Sequence, residues 1–132
     1  DALKVDWSDL LDGPVRVVAN IPYNITTPLL IRFLETKPPF LSLTLLVQKE
    51  VADRIVAGAG ADAYGALSVF VAYHAAARTV CTVPRGAFYP PPRVDSAVIH
   101  LVPHPNPPVD IPAEEFFPVT RAAFGQRRKT LR

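Results

Sequence analysis

Val15, Val17, Val18 and Ala19 form an apolar run that Gly13-Pro14 bounds upstream and Asn20-Ile21-Pro22-Tyr23 interrupts downstream. Thr26-Thr27-Pro28 then reads as a helix start. A buried strand that ends in an amide, a proline and an aromatic ring, just ahead of a helix, belongs in an α/β sheet. Open sheets of that kind bind ligands beyond the carboxyl ends of their strands. The four residues after the run are the first candidate for a site.

The rest of the chain keeps the alternation. Thr27 caps a helix with Pro28 at its first position, and Leu29, Leu30, Phe33 and Leu34 give it an apolar face up to Pro38-Pro39. Phe40 to Gln48 suits a central strand, and Lys49 to Ala57 has helical spacing that ends at Gly58. "GAGADAYG" is a loop, Ala66 to Ala77 a helix, and Thr79 to Val83 a short strand. "PRGAFYPPP" makes a stiff, exposed connection to a strand from Val94 to Val102. With no helix between them, the last two strands should be antiparallel. "PHPNPPVDIP" has five prolines in ten residues and reads as a semi-rigid linker. A helix from Glu114 to Phe124 follows, with Phe117 and Phe124 on one face and Pro118 blurring its start. The domains are therefore expected at 1–103, a linker at 104–112 and a further unit at 113–132.

Composition narrows the class. At 132 residues, 49% apolar and 20% charged, the chain is globular, with room for one modest core. No apolar run approaches a membrane span, nothing resembles a signal peptide, and a single cysteine, Cys81, excludes an internal disulfide framework. Cytoplasm is the default expectation. The absence of methionine suggests a chain that does not open at a translation start. Charge is uneven: "RAAFGQRRKTLR" holds five bases and no acid, which leaves residues 1–120 at a formal −3 out of a total of +2. A local basic cluster suggests a polyanionic partner.

At the end of a strand, the Asn20 amide oxygen and the Ile21 and Pro22 carbonyls are acceptors, and Tyr23 offers a flat face. An exocyclic amine on a flat heterocycle, such as adenine N6, satisfies all of them. Two acceptors would hold its hydrogens and free its lone pair while the ring stacks below. In this reading the face of Tyr23 matters and its hydroxyl does not. The same four residues also suit a plain strand-to-helix turn, and short motifs recur by accident.

The surrounding blocks change that balance. "NIPYNITTPLL" resembles the Asn-Leu-Pro-Tyr motif of ribosomal RNA adenine dimethyltransferases, with Ile21 for the usual Leu. The resemblance runs on through "LLVQKEVADRIVAGAGADAYGALSVFVAYHA", "VPRGAFYPPPRVDSAVIHL" and "AAFGQRRKTLR", so it covers nearly the whole chain. The last two blocks are most similar to the small-subunit (KsgA) type, which dimethylates two adjacent adenines near the 3′ end of 16S ribosomal RNA during small-subunit biogenesis.

The resemblance implies a class I, Rossmann-like methyltransferase fold with a small helical domain, and S-adenosylmethionine as methyl donor. It implies that Asn20 lies near the donor and orients the amine, that the Ile21 and Pro22 backbone accepts from it, and that Tyr23 stacks on the base. Phe88 would close on the other face of a flipped base, and Asp1 would contact the donor's adenine. The family's glycine-rich donor loop and ribose-binding acid would precede "DALKVD" and have no match, so the chain reads as the second half of a catalytic domain plus the first helix of the next. Rival readings are a large-subunit RNA or DNA adenine methylase, and a non-catalytic RNA-binding assembly factor.

Arg127, Arg128 and Lys129, with Arg93, Lys49 and Arg54, are the candidate RNA contacts on the small subunit or its precursor. Tyr89 is the weaker stacking candidate beside Phe88. His74, His100 and His104 have no metal-like grouping, and Asp95 and Ser96 look structural. Replacing Arg127, Arg128 and Lys129 with Gln is expected to weaken RNA binding and lower the salt slope by about 0.7 per lost contact on a single strand. Binding titrations over a salt series check this; an unchanged slope would make the three a solvated face.

Overall fold

The computed structural model describes residues 1–36 and 40–125, so the Pro38-Pro39 stop and the basic triad Arg127, Arg128 and Lys129 lie outside the described residues. A single helical turn, α1 (Trp7–Leu10), precedes β1 (Val15–Asn20), α2 (Thr26–Glu35), β2 (Phe40–Gln48), α3 (Lys49–Val56) and α4 (Ala66–His74). Then come β3 (Ala75–Val83), β4 (Ser96–Pro103) and α5 (Ala113–Phe124). The strands make one sheet in the order β1–β2–β4–β3. β1 and β2 are parallel, and β4 lies antiparallel to both β2 and β3, as expected for the pair joined without a long helix. β1, β2 and β3 therefore end at the same rim, where β4 begins.

The core forms on one face of this sheet. Alternation places Leu43, Leu45 and Val47 of β2 beside Ala97, Ile99 and Leu101 of β4, all at or below 1% exposure. Leu29, Leu30 and Phe33 of α2, Ala52 and Ile55 of α3, and Leu67 and Val71 of α4 pack onto them. Burying each such Leu or Ile contributes about 1.5–3 kcal/mol before the entropy of ordering is counted. Trp7 extends the core by packing on Phe33, ring centroids 5.4 Å apart. On the other face, β2 and β4 are half-buried, and Thr44 and His100 meet across the strands, Oγ1 to Nδ1, at 2.9 Å.

Several boundaries differ from the sequence reading. β1 is not a buried strand: its residues alternate between half-buried and exposed, and Val18 is 81% exposed. Within this chain it pairs with β2 alone. α2 begins at Thr26, not under a Thr27 cap: a 3-10 turn over Tyr23–Ile25 leads directly into it, and no side chain caps its first turn. α4 stops at His74, and Ala75–Arg78 extend β3 instead. Pairing of Ala75 to Arg78 with Pro103 to His100 overrides the helix preference of an alanine run. β4 starts two residues later than expected, at Ser96.

α5 packs on α4 through aromatic rings. Phe117 lies over His74 nearly face to face at 5.7 Å and against Phe70 at 5.3 Å, while Phe124 meets Tyr64 at 5.9 Å. Phe116 stacks on Tyr73 at 4.9 Å, and the Tyr73 hydroxyl donates to the Ile111 carbonyl at 2.8 Å. Pro118 sits inside the helix on its exposed side, where the carbonyl that its missing N–H leaves free is open to solvent. Burial among these rings, and secondarily the charge of His104, pushes the His74 pKa below the ordinary 6.5.

The sign follows from that depression. The fold favours neutral His74, so its contribution to stability is complete above about pH 6.5 and is lost as acid protonates the unfolded chain first. The melting temperature is expected to fall between about pH 7.5 and about pH 5.5, and His74→Phe to flatten that part of the profile. Thermal unfolding across the range measures it; an identical slope in the variant would remove His74 as the cause.

Candidate functional site

The turn after β1 is held from inside. The Ile21 N–H donates to the Leu46 carbonyl at 3.3 Å, which carries the β1–β2 ladder one residue past Asn20, and the Ile21 side chain is 1% exposed. Ile21 is thus a core residue within the motif. Asn20 before it is exposed at the rim, with no side-chain hydrogen bond among the described residues. The Pro22 carbonyl accepts from the Ile25 N–H at 3.1 Å and from the Thr26 hydroxyl at 3.3 Å. Both its lone pairs are engaged in turning the chain into α2. The Ile21 carbonyl accepts no such bond among the described residues, so the acceptors left at this point are Asn20 Oδ1 and Ile21 O.

Tyr23 is half-buried, and its hydroxyl lies 2.6 Å from Ser96 Oγ at the start of β4. The sequence reading gave that hydroxyl no role and took Ser96 as structural; no local pattern links residues this far apart. Across the rim, Pro84–Asp95 joins β3 to β4 and contains a 3-10 turn over Arg85–Ala87. Its start is fixed by the Arg85 N–H, which donates to Asp95 Oδ1 at 2.9 Å. Phe88 follows, half-buried, and Tyr89 is fully exposed. A cavity of about 310 Å³ is lined by Asn20, Ile21, Pro22 and Tyr23 from the first turn, and by Phe88, Tyr89, Pro90 and Pro92 from the second. Five candidates separated by up to 68 positions in the chain, Asn20 to Tyr23 and Phe88, meet there.

The other candidates divide. A neighbouring depression of about 550 Å³ gathers Lys49 and Arg93 with Arg85, which the sequence reading passed over, and with Glu50, Asp53 and Asp95. Lys49 Nζ pairs with Asp53 at 2.7 Å; the Arg85 and Arg93 side chains form no ion pair among the described residues. Arg54 is exposed and lines neither cavity. Asp1 is not among the residues lining the cavity with Asn20, and its carboxylate accepts from the Leu3 N–H at 3.0 Å. No group of His, Cys, Asp or Glu able to hold a metal occurs among the described residues. No described helix is long and apolar enough to cross a membrane.

Residues 1–132 match the family model described as ribosomal RNA adenine dimethylase. The chain belongs to that family. It is 57% identical, over its full length, to the ribosomal RNA small subunit methyltransferase A of Xanthobacter autotrophicus, covering 47% of that protein. Against the protein of the same name from Bacillus cereus, the identity is 46% over 99% of the chain and 47% of the relative. The chain thus spans about half the length of the curated relatives it matches. Among solved structures it is similar to a dimethyladenosine transferase from Plasmodium falciparum, with a TM-score of 0.77 and 34% identity over 88% of the chain and 42% of that structure. It is also similar to the 23S rRNA methyltransferase ErmE, with a TM-score of 0.70 and 27% identity over 84% of the chain and 43% of that structure. The mixed sheet and its helices are the methyltransferase architecture of this dimethylase family.

Within the motif the two neighbours should separate stability from activity. Ile21→Ala empties a core position and is expected to cost about 2–5 kcal/mol. Asn20→Ala, at an exposed position, should stay within about 0.5 kcal/mol. Denaturant unfolding of both variants is the check, and equal costs would contradict the inward and outward assignment.

Proposed function

We propose that the whole protein carrying this chain is an S-adenosylmethionine-dependent RNA methyltransferase that dimethylates N6 of two adjacent adenines near the 3′ end of small-subunit ribosomal RNA. Its partner is the small subunit or its precursor, and its place is the cytoplasm. One observation carries the reading: a single cavity lined by Asn20, Ile21, Tyr23 and Phe88 in a chain of the dimethylase family. The higher identity to relatives named for the small subunit than to the 23S enzyme favours this substrate over the large-subunit alternative.

The cavity, about 310 Å³, is at the lower end of the range for ligand pockets and suits one flat base. Tyr23 and Phe88 are the two faces against which a base drawn from its strand would lie. Asn20 Oδ1 and the Ile21 carbonyl accept the two amine hydrogens, which leaves the nitrogen lone pair unengaged. Pro22 acts by shape, its carbonyl being occupied. No carboxylate or imidazole lines the cavity, which suits a reaction whose nitrogen becomes acidic only after alkylation and needs no dedicated base. The residues contribute position and dipoles.

When bound, S-adenosylmethionine supplies an electrophilic methyl group. Of the two residues proposed toward it, Asn20 fits, its amide standing exposed at the cavity. Asp1 fits less well, since its carboxylate caps its own turn. Arg85 and Arg93, beside the cavity, are proposed with Lys49 for the RNA backbone, as are Arg127, Arg128 and Lys129 from their sequence alone.

The experiment is transfer of labelled methyl from S-adenosylmethionine to undermethylated small subunits by the whole protein. Tyr23→Ala should remove about 1–3 kcal/mol of stacking, roughly 5- to 150-fold in turnover, with little change in donor affinity. Ribosomal binding without any methyl transfer by the unaltered protein would favour the assembly-factor reading. Wild-type turnover in Tyr23→Ala would remove the ring from the site.

A further inference from the structure

Ser96 is the first residue of β4 and has no exposed surface. Sheet pairing fixes it from both sides, against Gln48 of β2 and Val83 of β3. Its hydroxyl is 2.6 Å from the Tyr23 hydroxyl, a contact that spans 73 positions in sequence. Its neighbour Asp95 binds the rest of the rim: the Asp95 carbonyl accepts from the Lys49 N–H at 3.0 Å, and its carboxylate takes the Arg85 N–H that opens the segment leading to Phe88. A buried hydroxyl at a pinned strand position, aimed at the phenol of the stacking residue, is more than packing needs. Alanine would fill that backbone position equally well.

We propose that Ser96 is a positioning residue for base methylation, acting through Tyr23. This inference rests on the functional reading above. Tyr23 sits on a 3-10 turn, and its ring can pivot about the bond that joins it to the backbone. Clamping the phenol oxygen stops the side chain swinging about its Cα–Cβ bond and so fixes where the ring that carries the base stands. The amine is thereby set relative to Asn20 Oδ1 and Ile21 O. The requirement is stricter for a second methyl than for the first, because an amine already carrying one methyl has a single orientation that still presents its lone pair. Loss of the clamp therefore acts on the second transfer most.

The test is a double-mutant cycle in the whole protein with Ser96→Ala, Tyr23→Phe and the pair, using undermethylated small subunits as substrate. Either single change leaves the ring and the sheet in place, and melting temperatures verify folding. Each is expected to lower kcat about tenfold, a misplacement of an ångström costing up to about a hundredfold. The KM for S-adenosylmethionine should stay unchanged, and N6-monomethyladenine should accumulate in the product. The double variant should be no slower than the slower single one, because both remove the same bond. An unchanged kcat and product ratio in Ser96→Ala would overturn the proposal, as would effects that multiply in the double variant. Absence of transfer by the unaltered protein would instead defeat the functional reading itself.

Discussion

The pairing of β2 with both its neighbours is the constraint on which the site depends. In one direction the parallel ladder to β1 runs through Asn20 opposite Leu46 and ends in the Ile21 N–H on the Leu46 carbonyl. In the other, the antiparallel ladder to β4 runs to Gln48 opposite Ser96. Those two end points fix where the motif turn leaves the sheet and where the strand carrying Ser96 enters it. A slip of one residue in either ladder would exchange the faces of a whole strand and separate Tyr23 from its partner. Burial of Leu43, Leu45 and Val47 against the helices prevents that slip. The core and the site are thus two ends of the same set of hydrogen bonds.

The motif divides its labour residue by residue. Asn20 faces outward and contributes nothing visible to packing, whereas Ile21 is wholly internal and contributes its carbonyl to the cavity only because its side chain anchors the backbone. Pro22 closes a turn whose carbonyl is already doubly bonded. Tyr23 lines the cavity and reaches Ser96 of β4 with its oxygen. Interchange of Ile and Leu at the second position is understandable from this arrangement, since that side chain meets only the core.

Much of this was legible in the sequence where the signal is local. The strand-to-helix order, the antiparallel last pair and the apolar face of α2 follow from periodicity and proline punctuation. Of the eight residues that line the cavity, Asn20 to Tyr23 stand out as a four-residue motif, and Phe88 through the family resemblance. What stayed hidden depends on distant partners. The alanine run after His74 has no strand signature until Pro103 to His100 are laid beside it. The contact between Tyr23 and Ser96, and the grouping of Arg85 with Arg93, likewise arise only when β3 and β4 close on each other.

The exposed Val18 has a bearing on the amide two residues later. Successive side chains of a strand point to opposite faces, so Val18 and Asn20 project on the same side of β1. Any protein layer laid over Val18 would also displace bulk water from around Asn20. Water screens the amide's dipole; its removal lowers the local dielectric and lengthens the reach of that dipole toward a neighbouring positive centre. The electric field at the cavity is in this sense not a property of the motif alone. It would depend as well on how far the face of β1 that carries Val18 is dried.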